Sequence, residues 1–226
     1  MTTNAESIAA YAGTKERITG LVSALDDAAT ATVAPAAPDW QVRDVVAHVV
    51  GITADLVAGN IEGAGSDPWT KIQVEERRDR SVADLLAEWD ENWPAFTAVM
   101  DAVDEARAAQ AVFDVTTHEH DVRGALDAAG ARDSDGVTVG WEWATNILGQ
   151  IRDGYGAGAL VLKTEHGEVT AGSSEPTSAV SAERFELWRA MTGRRSTEQV
   201  LGFDWEGEPA AEHLCLLPAR ATPLVE

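Results

Sequence analysis

The sequence predicts an α-helical four-helix bundle followed by a small α+β domain. Apolar residues recur at helical spacing through the first ~130 residues. From about residue 136, short β-like runs and turn signals alternate with helical segments instead. We therefore place the bundle domain at residues 1–135 and the α+β domain at residues 136–226.

The first three helices of the predicted bundle have apolar residues at helical spacing, and segments rich in Pro or Gly separate them. In chain order the predicted helices are residues 6 to about 28, a helix starting at or beside Asp39 and carrying His48 next to its stripe, a helix from Ser81 to about 103, and a helix from about 107 to 128. The segment 33–39 reads as a linker and 59–68 as a loop. Pro94 is expected to kink or divide the third helix.

In the second domain the pattern predicts a mixture of helices and strands. The expected elements are a helix over 141–151, a strand over 159–164 with a partner strand after the turn at 166–167, a helix over 181–191 capped by Ser181, and a short helix capped by Ser196. The Pro- and Ala-rich tail is expected to form a short helix followed by an extended end.

Composition excludes several classes of partner. The net charge of −21 argues against nucleic acid and against an anionic membrane surface, since both require clustered Lys and Arg. No apolar run is long enough to span a bilayer, so we expect a cytoplasmic protein, and the absence of an evident dimer seam favours a monomer. The single cysteine, Cys215, lies in the apolar run 213–217 and reads as a structural thiol. Any reactive thiol is then expected to come from outside the chain.

The run from Asp114 to Asp121 is the most informative stretch for chemistry. Asp114 and His118 are four residues apart and share one face of the predicted helix. With His48 from another helix they make an N/O ligand set of three, which leaves a position open for water or substrate, as in catalytic zinc sites. A histidine at the edge of the core and an Asp–His hydrogen bond within one helix are the competing interpretations.

Other polar residues of this run have different predicted roles. Glu119 and His120 cannot share the face of Asp114 and His118, so they are expected on a solvated face. Asp121 is either an acceptor that orients an imidazole or the partner of a base such as Arg123.

Arg194 and Arg195 stand out in a chain with few cations. A rigid guanidinium fork suits a substrate carboxylate. The alternative is that one or both tie the second domain to acidic helices, and the sequence leaves this open.

Segments 40–49, 114–121 and 181–196 together resemble the mycothiol-dependent maleylpyruvate isomerase family, including its actinobacterial members. The resemblance implies a DinB-like four-helix bundle that holds zinc or another divalent metal, followed by a sterol-carrier-like C-terminal module. Carried over by position, the metal ligands are His48, Asp114 and His118. The best-known family member has Glu where this chain has Asp114. The family's C-terminal arginine maps to Arg194, with Arg195 as the other candidate.

The resemblance also implies a reaction. Mycothiol supplies the thiol, the metal lowers its pKa, and the thiolate adds to an activated cis double bond of a small, carboxylate-bearing electrophile. Bond rotation and elimination give the trans product, whereas permanent transfer of the thiol gives a conjugate. The rival hypotheses are a non-catalytic module that binds a metal or thiol, a carrier of a small apolar ligand, and a family member that keeps only a structural site.

Overall fold

The computed structural model describes residues 2–209 and 214–226, which form two compact units. The first unit is 2–130 and the second comprises the described residues of 131–226. The first is helical and the second contains a four-stranded sheet, so the predicted fold class is confirmed.

The first unit is built around four long helices. The elements of this unit are α1 (Asn4–Val22), α2 (Asp27–Thr30), β1 (Val33–Ala34), β2 (Ala37–Gln41), α3 (Val42–Ala58), α4 (Asp67–Glu76), α5 (Val82–Ala102) and α6 (Glu105–Ala125). The long helices are α1, α3, α5 and α6. Helix α1 packs on α6 and α5, and α3 packs on α5 and α6.

The segment predicted as a linker is a β-hairpin. Strands β1 and β2 pair antiparallel, with Val33 opposite Gln41. The prediction was wrong because both prolines of the segment are compatible with this hairpin. Pro35 lies in its turn, and Pro38 lies in the short strand β2. The hairpin delays the start of α3, whose first turn is capped by Gln41 and Asp44 rather than by Asp39.

Helix α4 was not predicted, because its sequence lacks an apolar stripe. Of its ten residues only Gln73 is buried. Gly51 of α3 allows α4 to approach closely: a Cβ added there would lie 2.6 Å from the Cβ of Gln73. An ion pair between Arg77 and Glu88 of α5 (2.6 Å) holds the other end of α4.

Helix α5 follows the prediction closely. Ser81 Oγ accepts from the backbone N–H of Asp84 (3.1 Å), and the Asp84 carboxylate accepts from the backbone N–H of Ser81 (3.1 Å). Asp therefore completes the capping box that Glu or Gln usually completes. Pro94 lies inside the helix without dividing it.

The second unit packs a long helix on a mixed sheet. Its elements are α7 (Asp135–Gly154), β3 (Ala159–Thr164), β4 (Gly167–Ala171), β5 (Pro176–Ser181), α8 (Arg184–Met191), α9 (Thr197–Leu201) and β6 (Asp204–Gly207). The strand order is β4-β3-β5-β6, in which β3 and β5 are parallel and the other pairs antiparallel. Helix α7 contacts β3, β4 and α8.

The strands β3 and β4 and the cap of α9 by Ser196 agree with the prediction. Ser181 does not cap a helix: it is the last residue of β5 and pairs with Asp204 of β6. The prediction failed because β5 is short and depends on neighbouring strands that are distant in sequence. The short helix predicted in the tail overlaps residues 210–213, which lie outside the described residues. His213, the first residue of the apolar run around Cys215, is one of them.

None of the helices in the described part of the chain is long and apolar enough to cross a membrane.

Candidate metal centre

The structure brings His48, Asp114 and His118 together inside the first unit. One ligand atom from each lies within 4.8 Å of the other two. His48 comes from α3 and the other two from successive turns of α6, where Asp114 Oδ1 is 3.8 Å from His118 Nε2. Four-coordinate zinc with bonds of about 2.0–2.2 Å has ligand atoms about 3.3–3.6 Å apart. The three atoms are therefore spaced so that a small closure would fit a divalent ion, although Asp114 is shorter than Glu.

Hydrogen bonds orient both imidazoles. His48 Nδ1 is 2.8 Å from Gln73 Oε1, and His118 Nδ1 is 3.1 Å from Asp121 Oδ2. Both partner atoms accept, so each Nδ1 carries the proton and each Nε2 carries the lone pair that a metal needs. The donor set matches that of a zinc-binding site.

Asp121 therefore orients His118, which is the first of the two roles considered for it. The predicted exposure of Glu119 and His120 is wrong, because both side chains are buried. Glu119 accepts hydrogen bonds from Arg17 (2.8 Å) and Arg123 (2.9 Å). Helix α6 is surrounded by other parts of the protein, so the face that carries Glu119 and His120 is also buried.

Sequence reasoning missed Gln73 and found no chemistry for Trp40. The Trp40 ring lies 5.0 Å from the His48 ring and 5.9 Å from the His118 ring, measured between centroids. Gln73 had no sequence signal, because α4 itself was not predicted. An aromatic ring at this position makes one wall of the site apolar.

Tyr11 lies in the electrostatic environment of Asp114. Burial, and after it the negative charge of Asp114, raises the pKa of Tyr11 well above its ordinary value. Because the hydroxyl remains protonated at neutral pH, Tyr11 adds no negative charge beside the ligand set.

Arg195 is a structural residue in the second unit. It is buried and donates to Glu186 (2.7 and 2.9 Å) and to Glu226 (3.1 Å). Arg194 is partly buried, and its Nη1 donates to the backbone carbonyl of Thr192 (2.6 Å). Arg195 therefore pairs with acidic residues of its own unit. A tie of the second domain to the acidic helices, considered from sequence, stays a prediction.

Burial raises the pKa of the Cys215 thiol. A raised pKa lowers the fraction of thiolate at neutral pH and makes the residue a poor nucleophile. This agrees with the structural role predicted for Cys215.

Two other features of the second unit bear on its binding chemistry. Asp133, Glu165 and His166 form a group of possible ligands, but all three are exposed and Arg184 approaches Asp133 to 3.6 Å. A cleft beside α7 has a mainly polar lining, which does not favour an apolar ligand. It is lined by Thr145, Asn146, Gly149, Gln150, Asp153, Thr170, Gly172 and Ser173.

Comparison with known proteins identifies a family. The family model of the mycothiol maleylpyruvate isomerase N-terminal domain matches residues 12–135, which confirms the resemblance seen in the sequence. A crystal structure of a histidine-to-alanine variant of the mycothiol-dependent maleylpyruvate isomerase is 15% identical, with a TM-score of 0.61. A second, of the mycothiol-dependent maleylpyruvate isomerase, is 17% identical with a TM-score of 0.54. Each alignment covers 86% of this chain and 92% of the other chain. No curated protein matches the chain.

Proposed function

Because the chain belongs to the mycothiol maleylpyruvate isomerase family, we propose that this isomerase-like enzyme uses mycothiol at a divalent metal, with zinc as the expected ion. The observation that carries the proposal is the convergence of His48, Asp114 and His118, whose ligand atoms lie within 4.8 Å of one another. Two neutral imidazoles and one carboxylate suit zinc and leave coordination positions open.

The chain's own residues have distinct roles in this proposal. His48, Asp114 and His118 hold the ion, and Gln73 and Asp121 keep the imidazoles in the tautomer that binds it. When bound, a divalent ion lowers the pKa of a coordinated thiol, so that a thiolate is present at neutral pH. Cys215 does not replace mycothiol, since burial raises its pKa.

For the substrate carboxylate we propose Arg194 rather than Arg195. The guanidinium of Arg195 is already paired with two buried or partly buried glutamates. A substrate would have to displace these contacts, and the family's C-terminal arginine maps to Arg194 by position. A guanidinium fork binds a carboxylate through two parallel hydrogen bonds.

The test combines metal content with turnover. We expect purified protein to contain about one divalent ion per chain, and to isomerise maleylpyruvate only when mycothiol is present. His48→Ala and His118→Ala should lose both metal and turnover. His166→Ala, which changes an exposed histidine, and Cys215→Ser are the matched controls and should keep both.

Two results would contradict this function. One is retention of metal by both ligand variants, and the other is metal-replete protein without mycothiol-dependent turnover of maleylpyruvate or of a model electrophile. The fate of mycothiol distinguishes isomerisation from permanent transfer of the thiol, the other outcome expected from the family resemblance. Isomerisation regenerates the thiol, whereas S-transfer consumes one equivalent per product.

A further inference from the structure

A chain of hydrogen bonds links His48 to a carboxylate that does not touch it. Gln73 is fully buried on α4, and its Oε1 accepts a hydrogen bond from His48 Nδ1 (2.8 Å). Its Nε2 donates to Asp55 Oδ2 (2.7 Å). Asp55 is seven residues after His48 on α3, so both face α4 from one side of the helix. The three side chains form a relay that spans two helices.

We propose that Asp55 is a positioning residue that sets the tautomer of His48 through Gln73. The inference rests on the proposed metal site and adds a residue that acts on it at a distance. A carboxylate can only accept hydrogen bonds. The Gln73 amide must therefore turn its NH₂ group towards Asp55 and its oxygen towards His48. Nδ1 of His48 then carries the proton, and Nε2 keeps its lone pair.

The relay needs Asp55 because the two ends of an amide have nearly the same shape. Without a fixed acceptor, Gln73 can rotate by half a turn and present its NH₂ group to His48 Nδ1. The imidazole would then be protonated at Nε2, the nitrogen that faces the other ligands, and metal binding would require a tautomer change. His118 has no such freedom, because the Asp121 carboxylate accepts from its Nδ1 directly.

The first experiment reads the tautomer in metal-free protein. ¹⁵N chemical shifts of His48 are measured at about pH 8.5, two units above the ordinary imidazole pKa of about 6.5. The wild type should show a protonated Nδ1. Asp55→Ala should show a mixture of the two tautomers. Zn²⁺ affinity, measured by chelator competition, should fall by about tenfold or more, which is the usual effect of losing such an outer partner.

The control is Glu62→Gln, which removes the same charge from an exposed position between α3 and α4. It should leave the tautomer and the Zn²⁺ affinity unchanged. A second variant exchanges the two groups by combining Asp55→Asn with Gln73→Glu. The carboxylate at position 73 then accepts from His48, and the amide at position 55 donates to it. This exchange should restore the Nδ1 proton and most of the affinity.

The inference is overturned if Asp55→Ala keeps the wild-type tautomer and affinity, or if Glu62→Gln weakens Zn²⁺ binding as much as Asp55→Ala does. Failure of the exchange variant to restore the Nδ1 proton would also contradict it. The tautomer is measured without metal, mycothiol or substrate. The relay can therefore hold in a protein that shows no turnover, so the two proposals fail in distinguishable ways.

Discussion

At the scale of single residues, consecutive polar positions of α6 have unlike roles. His118 is one of the proposed metal ligands, Glu119 forms ion pairs with Arg17 and Arg123, and Asp121 orients His118. A helix advances about 100° per residue, so neighbours in sequence meet different surroundings. Helical spacing was enough to separate Asp114 and His118 from Glu119, but it did not show that Glu119 also meets protein.

The ion pairs of Arg195 allow a residue-scale prediction. Arg195→Met should lower the free energy of unfolding by about 3 kcal/mol, because it removes the buried partner of Glu186 and one of the two arginines that bind Glu226. Arg78→Met, which removes an exposed ion pair with Glu75, is the matched control and should cost less than about 1 kcal/mol. Urea unfolding of the two variants measures the difference. Equal losses of stability would contradict the structural role of Arg195.

The stabilisation by the Arg195–Glu186 ion pair has a defined pH dependence. Burial raises the pKa of Glu186, but the hydrogen bond and charge of Arg195 outweigh it and hold the pKa below its ordinary value. A depressed pKa means that the stabilisation is complete above the unfolded value of about 4.3 and disappears as pH falls through the folded value. The stability difference between wild type and Arg195→Met should therefore shrink below about pH 4.3.

At the scale of elements, α4 matters for the site out of proportion to its buried area. It contributes one buried side chain, Gln73, and that side chain orients His48. The close approach of α4 to α3 depends on Gly51, where a Cβ would lie 2.6 Å from Gln73 Cβ and 3.1 Å from Arg77 Nη1. The position of His48, a proposed metal ligand, thus depends on a glycine one turn away.

Gly51→Ala is therefore expected to do two things. Crowding against Gln73 should destabilise the protein by about 1–3 kcal/mol, as overpacking of a core usually does. Displacement of Gln73 should also weaken Zn²⁺ binding. Gly20→Ala in α1 is the control: a Cβ there meets nothing within 4 Å, so the change should stabilise the helix by about 0.5–1 kcal/mol. Thermal unfolding and chelator competition test both effects, and unchanged Zn²⁺ affinity in Gly51→Ala would contradict the role of α4.

At the scale of the whole molecule, charge is the dominant feature. Asp and Glu number 38 against 17 Lys and Arg, giving a net charge of −21. A charge of this size opposes the compact state through self-repulsion, and salt screens repulsion between exposed groups over about 10 Å at 0.1 M.

We therefore expect salt to stabilise the protein. Raising NaCl from about 0.01 to 0.3 M should increase the midpoint of thermal unfolding by about 2–4 °C, which corresponds to about 1 kcal/mol for a chain of this size. Surface ion pairs such as Lys15–Asp90 weaken with salt and act in the opposite direction. A midpoint that falls as salt is added would show that such pairs outweigh the net repulsion.

The fold was predictable where a segment carries its own pattern. The apolar stripes of α3 and α5 and the strands β3 and β4 are visible in the sequence. Helix α4 has a start signal, a Ser66 N-cap with a proline in the first turn, but it has no apolar stripe and is held by packing on α3. Strand β5 has no pattern of its own that marks its bounds, and it is stabilised by pairing with β3 and with the distant β6.

The sequence by itself determined the ligand candidates and the helix that carries two of them, because a spacing of four residues places Asp114 and His118 on one face. The tertiary structure alone decided how the His48 imidazole is held. Gln73 of α4 reaches His48 and Asp55 of α3 only because the two helices pack closely at Gly51. Periodicity describes a single helix, whereas the tautomer of His48 depends on hydrogen bonds to another helix, and these exist only after the chain has folded.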